Sequence, residues 1–135
     1  MAKTEKRRIG DIGENLACKF LKKREFKIEE RNYLKKWGEI DIVAINKENN
    51  KIHFVEVKTV SCSSIRSKIS SKMDNYQLGN NVHPWKLQRL SRVFKTYLLD
   101  KKICGDREWQ FDIIVVFLDL KDSISRIKYF EDVII

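Results

Sequence analysis

The sequence has little that punctuates a chain: one proline and five glycines in 135 residues. No Pro/Gly-rich linker fits within that, and no Walker-type or dinucleotide-type glycine loop is present to support a nucleotide-binding enzyme. Cysteine is equally sparse. Cys18, Cys62 and Cys104 are odd in number, far apart and without a CxxC pair, which excludes a disulfide framework and a cysteine zinc site and suits a reducing cytosol. No apolar run approaches the ~18 residues of a membrane-spanning helix. Lys3, Lys6, Arg7 and Arg8 are not followed by a signal-type apolar block. The expectation is a cytoplasmic protein with no membrane partner. At 42% hydrophobic and 10% aromatic residues, the chain has enough apolar matter to fold, and its length suits a single domain over residues 1–135.

What the sequence does have is charge, 28 Lys and Arg against 19 Asp and Glu for a net +9. The excess is unevenly placed. Residues 1–36 carry 12 basic against 6 acidic side chains, and residues 58–102 carry 10 against 2. Between them, residues 37–57 reverse the balance with 2 basic against 4 acidic. Basic surface binds polyanions because each neutralised phosphate releases condensed counterions, although lysines also solubilise any small protein. The acidic island distinguishes the two readings. A pure phosphate binder has little use for carboxylates there, whereas a metal-dependent nuclease needs them.

Hydrophobic periodicity predicts a helix from about Ile9 to Arg24, with Ile9, Ile12, Leu16, Ala17, Phe20 and Leu21 inward. A polar-edged strand follows from Phe26 through Ile28 to Tyr33. Glu39–Ile45 and Lys51–Thr59 then form a hairpin across the turn-forming Asn46–Asn50. Residues 60–83 are Ser-rich and read as a long functional or mobile loop, part of it open to helix. A second helix opens at Pro84 and ends before Gly105. Phe111–Leu118 is continuously apolar, as a strand covered on both faces would be. Ser125–Phe130 is the last strand, with Val133–Ile135 as a candidate extension. The order α-β-β-β-α-β-β describes an α/β fold, a mixed sheet with helices on its faces. Its crossover after the third strand permits a parallel pair.

The chemistry concentrates in the hairpin. Side chains alternate faces along a strand, so Glu56 and Lys58 point one way and Val55 and Val57 the other. Asp41, one strand earlier, can lie across from Glu56. Burying unpaired carboxylates costs on the order of several kcal/mol, so these acids need a cation or hydrogen-bond donors. Mg²⁺ satisfies such a pair with oxygen ligands, waters and a substrate phosphate, and Lys58 beside it would hold a water or phosphate oxygen. A structural ion-pair cluster of Asp41, Glu56 and Lys58 accounts for the same residues without chemistry.

Asp41…Glu56-Val57-Lys58 resembles the PD-(D/E)xK nuclease core. Gly38–Ala44 (GEIDIVA) and Phe54–Thr59 (FVEVKT) are similar to the paired signatures of the YraN-like family of small predicted endonucleases. Gly10-x-x-Gly13-Glu14 with Ala17, Arg31-Asn32, Lys86 and Phe111-Asp112 stand in the family's order. The resemblance implies a restriction-endonuclease-like α/β/α sandwich related to archaeal Holliday-junction resolvases. It implies Asp41 and Glu56 as ligands of Mg²⁺ or Mn²⁺, with the Val57 carbonyl as a further ligand. It also implies Lys58 as the residue that positions or activates the attacking water, and Glu14 as the first-helix acid completing the site. Glu14 falls at the border of its helix's apolar stripe, where a solvated carboxylate is the plainer reading. Val60 and Gln110 stand where the family often has basic residues.

The implied activity is metal-dependent hydrolysis of DNA, selective for branched or flapped structure, with Lys86, Arg89, Lys35 and Lys36 as candidate phosphate contacts. The charge pattern does not separate DNA from RNA. A homodimer fits by analogy with resolvases that act on two-fold-symmetric junctions. The alternative is a nucleic-acid-binding or scaffold protein that keeps the fold without turnover. His53, on the face opposite Glu56, reads as a core histidine, Asp112 as a structural acid near a strand start, and Glu39 as a partner of a basic residue. Of Trp37, Trp85 and Trp109, at least two are expected in packing and the remainder could stack on bases.

Overall fold

The computed structural model describes residues 4–62, 66–78 and 83–134. Its elements are α1 (Glu5–Lys23), β1 (Phe26–Lys35), β2 (Gly38–Asn46), β3 (Ile52–Ser61), α2 (Arg66–Asn75), α3 (Pro84–Asp100), β4 (Trp109–Asp119) and β5 (Ile124–Phe130). The five strands form one mixed sheet in the order β1-β2-β3-β4-β5. β1 with β2, β2 with β3, and β4 with β5 are antiparallel, while β3 and β4 run parallel from Ile52↔Trp109 to Ser61↔Leu118. The expected mixed α/β fold is observed, with one added helix. α2 occupies part of the stretch read as a loop, burying Ile69 and packing Met73 against the sheet. Its polar composition carries almost no periodic apolar signal, so tertiary contact rather than local pattern defines it. Ser63, Ser64, Gly79, Asn80 and Asn81 of that stretch lie outside the described residues. Among the described residues, no helix is long and apolar enough to cross a membrane.

Two apolar layers sandwich the sheet. On one face α3 buries Leu90, Val93, Phe94 and Tyr97 against Phe54, Phe111 and Phe117. The Phe54 and Phe94 rings stack there with centroids 4.5 Å apart. On the other face α1 covers Ile42, Ala44, Val55, Ile114 and Val116. β4 is buried along most of its length, as its apolar run predicts. β1, an edge strand, carries an irregularity between Ile28 and Glu30, a device that interrupts an exposed ladder. The chain after β5 does not extend that strand. Instead Asp132 adopts a positive φ of 53° and Val133 N–H bonds the Phe111 carbonyl. Ile135 lies outside the described residues.

α1 begins earlier than its apolar pattern implies, because Thr4 accepts a hydrogen bond from Arg7 N–H and caps the first turn. Its most buried residues are Gly13, Ala17, Cys18 and Leu21, a stripe rotated from the one the larger apolar residues suggest. Gly13 is the reason. A Cβ placed there would sit 1.9 Å from Thr59 Oγ1 and 3.0 Å from Thr59 Cβ, so the helix backbone rests directly on β3. Gly13→Ala gains up to about 1 kcal/mol of helix propensity, but overpacking costs about 1–3 kcal/mol. A net loss of about 1–2 kcal/mol is expected in urea denaturation. Thr59→Ala in the same chain should recover most of it, and additivity of the two changes would remove the explanation.

Candidate active site

The β2–β3 ladder runs from Ile45↔Ile52 to Ile42↔Val55 and its register ends there. One residue further, Asp41 and Glu56 would have faced each other. Asp41 Oδ2 accepts the Val57 N–H instead, at 2.8 Å. A side chain thus takes over the amide that the ladder leaves unpaired. A strand residue presents its N–H and C=O to the same neighbour, so the Val57 carbonyl faces this gap as well.

Glu56 and Lys58 lie on the α3 face of β3. Glu56 Oε1 bonds Lys86 Nζ of the first turn of α3 at 3.0 Å, and both side chains are largely buried. Lys58 lies beside the same pair. Burial pushes its ammonium below the ordinary lysine range, and Glu56 resists that while Lys86 adds to it. Burial works against charge on Lys86, but its bond to Glu56, the Glu56 and Asp41 charges and its contact with Lys58 together raise its pKa.

Asp41 is a carboxyl under electrostatic stress. Burial pushes its carboxyl up to about 7, opposed by the Val57 amide and reinforced by the charges of Glu56, Glu39 and Glu14. Between about pH 4 and 7 the folded chain therefore holds a proton that the unfolded chain has released. The stability from this site is full below about pH 4 and is lost as pH rises through about 7. Asp41→Asn keeps an oxygen for the Val57 amide and removes the titration. In metal-free buffer its stability advantage over the wild type should grow by about 2–3 kcal/mol between about pH 5 and pH 8. Urea melts at the two pH values measure this, and a pH-independent difference would contradict it.

Two cavities open on Asp41. One, of about 300 Å³, is lined by Glu39, Asp41, Glu56, Trp85, Lys86 and Arg89. The other, of about 750 Å³, adds Lys6, Arg7, Glu14 and Asn32 from α1 and β1, with Val57 and Thr59. Glu14 shares the second cavity with Asp41, but its Oε1 is already held by Arg31 Nη2 at 2.9 Å and Asn32 Nδ2 at 3.1 Å. Among the described residues, no three His, Cys, Asp or Glu side chains come together as a formed metal cluster. The donor set that fits a hard divalent cation is Asp41, Glu56 and the Val57 carbonyl, since Mg²⁺ commonly uses one or two carboxylates and fills the rest with water. The stressed Asp41 carboxylate is the group such a cation would relieve.

The remaining sequence candidates divide. Arg89 lines the smaller cavity, and its Nε donates to the Trp37 carbonyl at 3.3 Å. Lys86 is bonded to Glu56 rather than standing free at the surface. Lys35 pairs with Asp100, the last residue of α3, at 3.7 Å, and Lys36 is exposed in the β1–β2 turn. Lys6 and Arg7, which line the larger cavity, and Arg31, which holds Glu14, carry no motif that marks them as site residues in the sequence. The only available signal was their position on and opposite α1, which becomes informative once that helix is placed. Glu39 is exposed and lines both cavities.

His53 is buried, as its strand face predicts. Its Nδ1 lies 2.6 Å from Asp112 Oδ2, and because a carboxylate only accepts, Nδ1 carries the proton. Asp112 accepts also from Tyr129 Oη, Gln110 Nε2 and the Asp132 amide. Burial opposes the Asp112 charge, yet these donors together hold its carboxyl below the ordinary range.

The model of the uncharacterised protein family UPF0102 matches residues 13–116, a span that includes Glu14, Asp41, Glu56, Lys58 and Lys86. A UPF0102 protein of Alkaliphilus oremlandii is 35% identical over 126 residues, covering 93% of this chain and 97% of the relative. One of Caldicellulosiruptor bescii is 33% identical over 128 residues, covering 93% and 96%. One of Campylobacter jejuni subsp. doylei is 32% identical over 120 residues, covering 89% and 93%. The chain belongs to the uncharacterised protein family UPF0102.

Proposed function

We propose that this protein is a metal-dependent endonuclease that hydrolyses DNA phosphodiester bonds, with a PD-(D/E)xK site on a restriction-endonuclease-like sheet related to that of Holliday-junction resolvases. The observation that carries the reading is the parting of β2 from β3, where Asp41 enters the gap beside Val57 while Glu56 and Lys58 share the adjoining face. A structural ion-pair cluster has no need to leave Asp41 with its charge so poorly compensated.

Asp41, Glu56 and the Val57 carbonyl would hold Mg²⁺ or Mn²⁺, which when bound supplies Lewis-acid charge against the developing negative charge on the phosphate. In hydrolysis a water oxygen bonds to phosphorus, the bond from phosphorus to the leaving sugar oxygen breaks, and that oxygen takes up a proton. Lys58, whose ammonium is destabilised by burial, would orient the water and, as the neutral amine, take the proton the water loses on attack, while the leaving sugar oxygen takes one from solvent. Lys86 fixes the Glu56 carboxylate, and Arg89, Lys6 and Arg7 supply positive charge along the two cavities. Phosphate contacts of this kind position a strand but read little base sequence, so weak sequence preference is expected.

A non-catalytic nucleic-acid-binding protein is the second reading, favoured by the tie of Glu14 to Arg31 and by the missing three-acid cluster among the described residues. The deciding experiment incubates the protein with duplex, single-stranded, flapped and four-way DNA in Mg²⁺ or Mn²⁺. A parallel calorimetric titration measures Mn²⁺ binding to the wild type, Asp41→Asn and Glu56→Gln. Cleavage together with binding that needs both carboxylates supports the nuclease. DNA binding without cleavage and without carboxylate-dependent Mn²⁺ binding supports the second reading.

A further inference from the structure

Trp37 and Trp109 are half-buried and pack against the aromatic core. Trp85 is different. It stands in the first turn of α3 with 57% of its surface exposed, and it lines the same cavity as Asp41, Glu56 and Lys86. Arg89, one helical turn on, places its guanidinium 5.7 Å from the Trp85 ring centroid. The His83 ring lies parallel to the indole within 6°, with centroids 6.4 Å apart. A large ring left in water at the rim of the cavity that holds Asp41, Glu56 and Lys86, with the Arg89 guanidinium beside it, does not complete the core.

We propose that Trp85 is a stacking platform for an unpaired nucleobase of DNA, set beside the acids that would act on the neighbouring phosphate. The inference rests on the nuclease reading and names its substrate class as DNA with an unpaired nucleotide at the cut site. The reasoning is geometric. In a duplex each base face is covered by the next base pair, and only base edges reach the grooves. An indole face can be met only by a base that has left its stack, as in a single strand, a flap or a frayed end. Arg89, one turn on and beside the ring, would then meet a phosphate next to that base. Stacking tolerates every base because each has a π-face, in keeping with weak sequence preference.

The test is binding, in chelator so that nothing is cut, of a labelled oligothymidylate and of a fully paired duplex closed at each end by a non-nucleotide linker, at one salt concentration. Trp85→Ala is expected to weaken oligothymidylate binding about 5- to 100-fold, with duplex binding unchanged. Trp85→Phe should recover most of the affinity, and the quenching of tryptophan emission by oligothymidylate should be lost in it. Unchanged oligothymidylate affinity in Trp85→Ala, equal weakening of both probes, or quenching that persists in Trp85→Phe would overturn the platform. The two proposals fail separately. A protein that cuts DNA but binds single strands without Trp85 loses only the platform, and one that binds them through Trp85 but cuts nothing loses only the nuclease.

Discussion

Lys58→Ala is expected to lower phosphodiester cleavage by about 10³-fold, equivalent to about 4 kcal/mol of transition-state stabilisation. The size follows from where Lys58 sits. Its side chain is half-buried beside Glu56 and Lys86, where positive charge acting on a bound phosphate would be screened less than in water. Lys58→Arg should not restore the rate. Guanidinium keeps its proton at any accessible pH and is planar where the ammonium is compact. Glu56→Gln should cost a similar factor and, unlike Lys58→Ala, should also abolish carboxylate-dependent Mn²⁺ binding. Cleavage rates on flapped DNA, with thermal denaturation as the control for folding, provide the check. Full activity in either Lys58→Ala or Glu56→Gln would end the nuclease assignment.

Asp112→Ala is expected to destabilise the fold by about 3–5 kcal/mol, the cost of breaking a buried charge-bearing network from one side. Asp112 is fully buried, and its carboxylate joins His53 of β3, Gln110 of β4, Tyr129 of β5 and the Asp132 amide. Removing it strands those donors among Phe26, Phe20 and the sheet. Because total stability of a domain is only about 5–15 kcal/mol, the urea midpoint should fall sharply with little change in slope. Its pH dependence is opposite in sign to that of Asp41. The Asp112 carboxyl is held below its ordinary value, so its contribution is present above about pH 4 and is lost as pH falls through the lowered value. Asp41, raised to about 7, works against stability over the range in which it ionises. A wild-type urea midpoint retained by Asp112→Ala would refute the network's role.

Much of the site was legible because strand alternation is a local property. Glu56 and Lys58 had to share a face, and His53 had to take the other. Phe111–Leu118 had to be interior, since a continuous apolar run has no polar face to offer water. Glu14 was harder to place. Its large apolar neighbours put it at a stripe's border, but Gly13 lets the helix settle on Thr59 and turns that border toward the sheet. α2 was illegible for the opposite reason: a polar helix carries no pattern, and the contacts of Ile69 and Met73 are made with residues far along the chain.

By itself the sequence determined the α/β alternation, the strand faces and the acidic island between basic blocks. These follow from backbone periods of two and 3.6 residues, which act over a few neighbours. Only the tertiary structure decided which charges meet. It brought Lys86 to Glu56 across 30 positions of chain and Arg31 to Glu14 across 17, parted β2 from β3 at Asp41, and left one tryptophan of three largely exposed at the rim. Ion pairing and exposure depend on where packed helices come to rest against the sheet, and that position is set by the core as a whole.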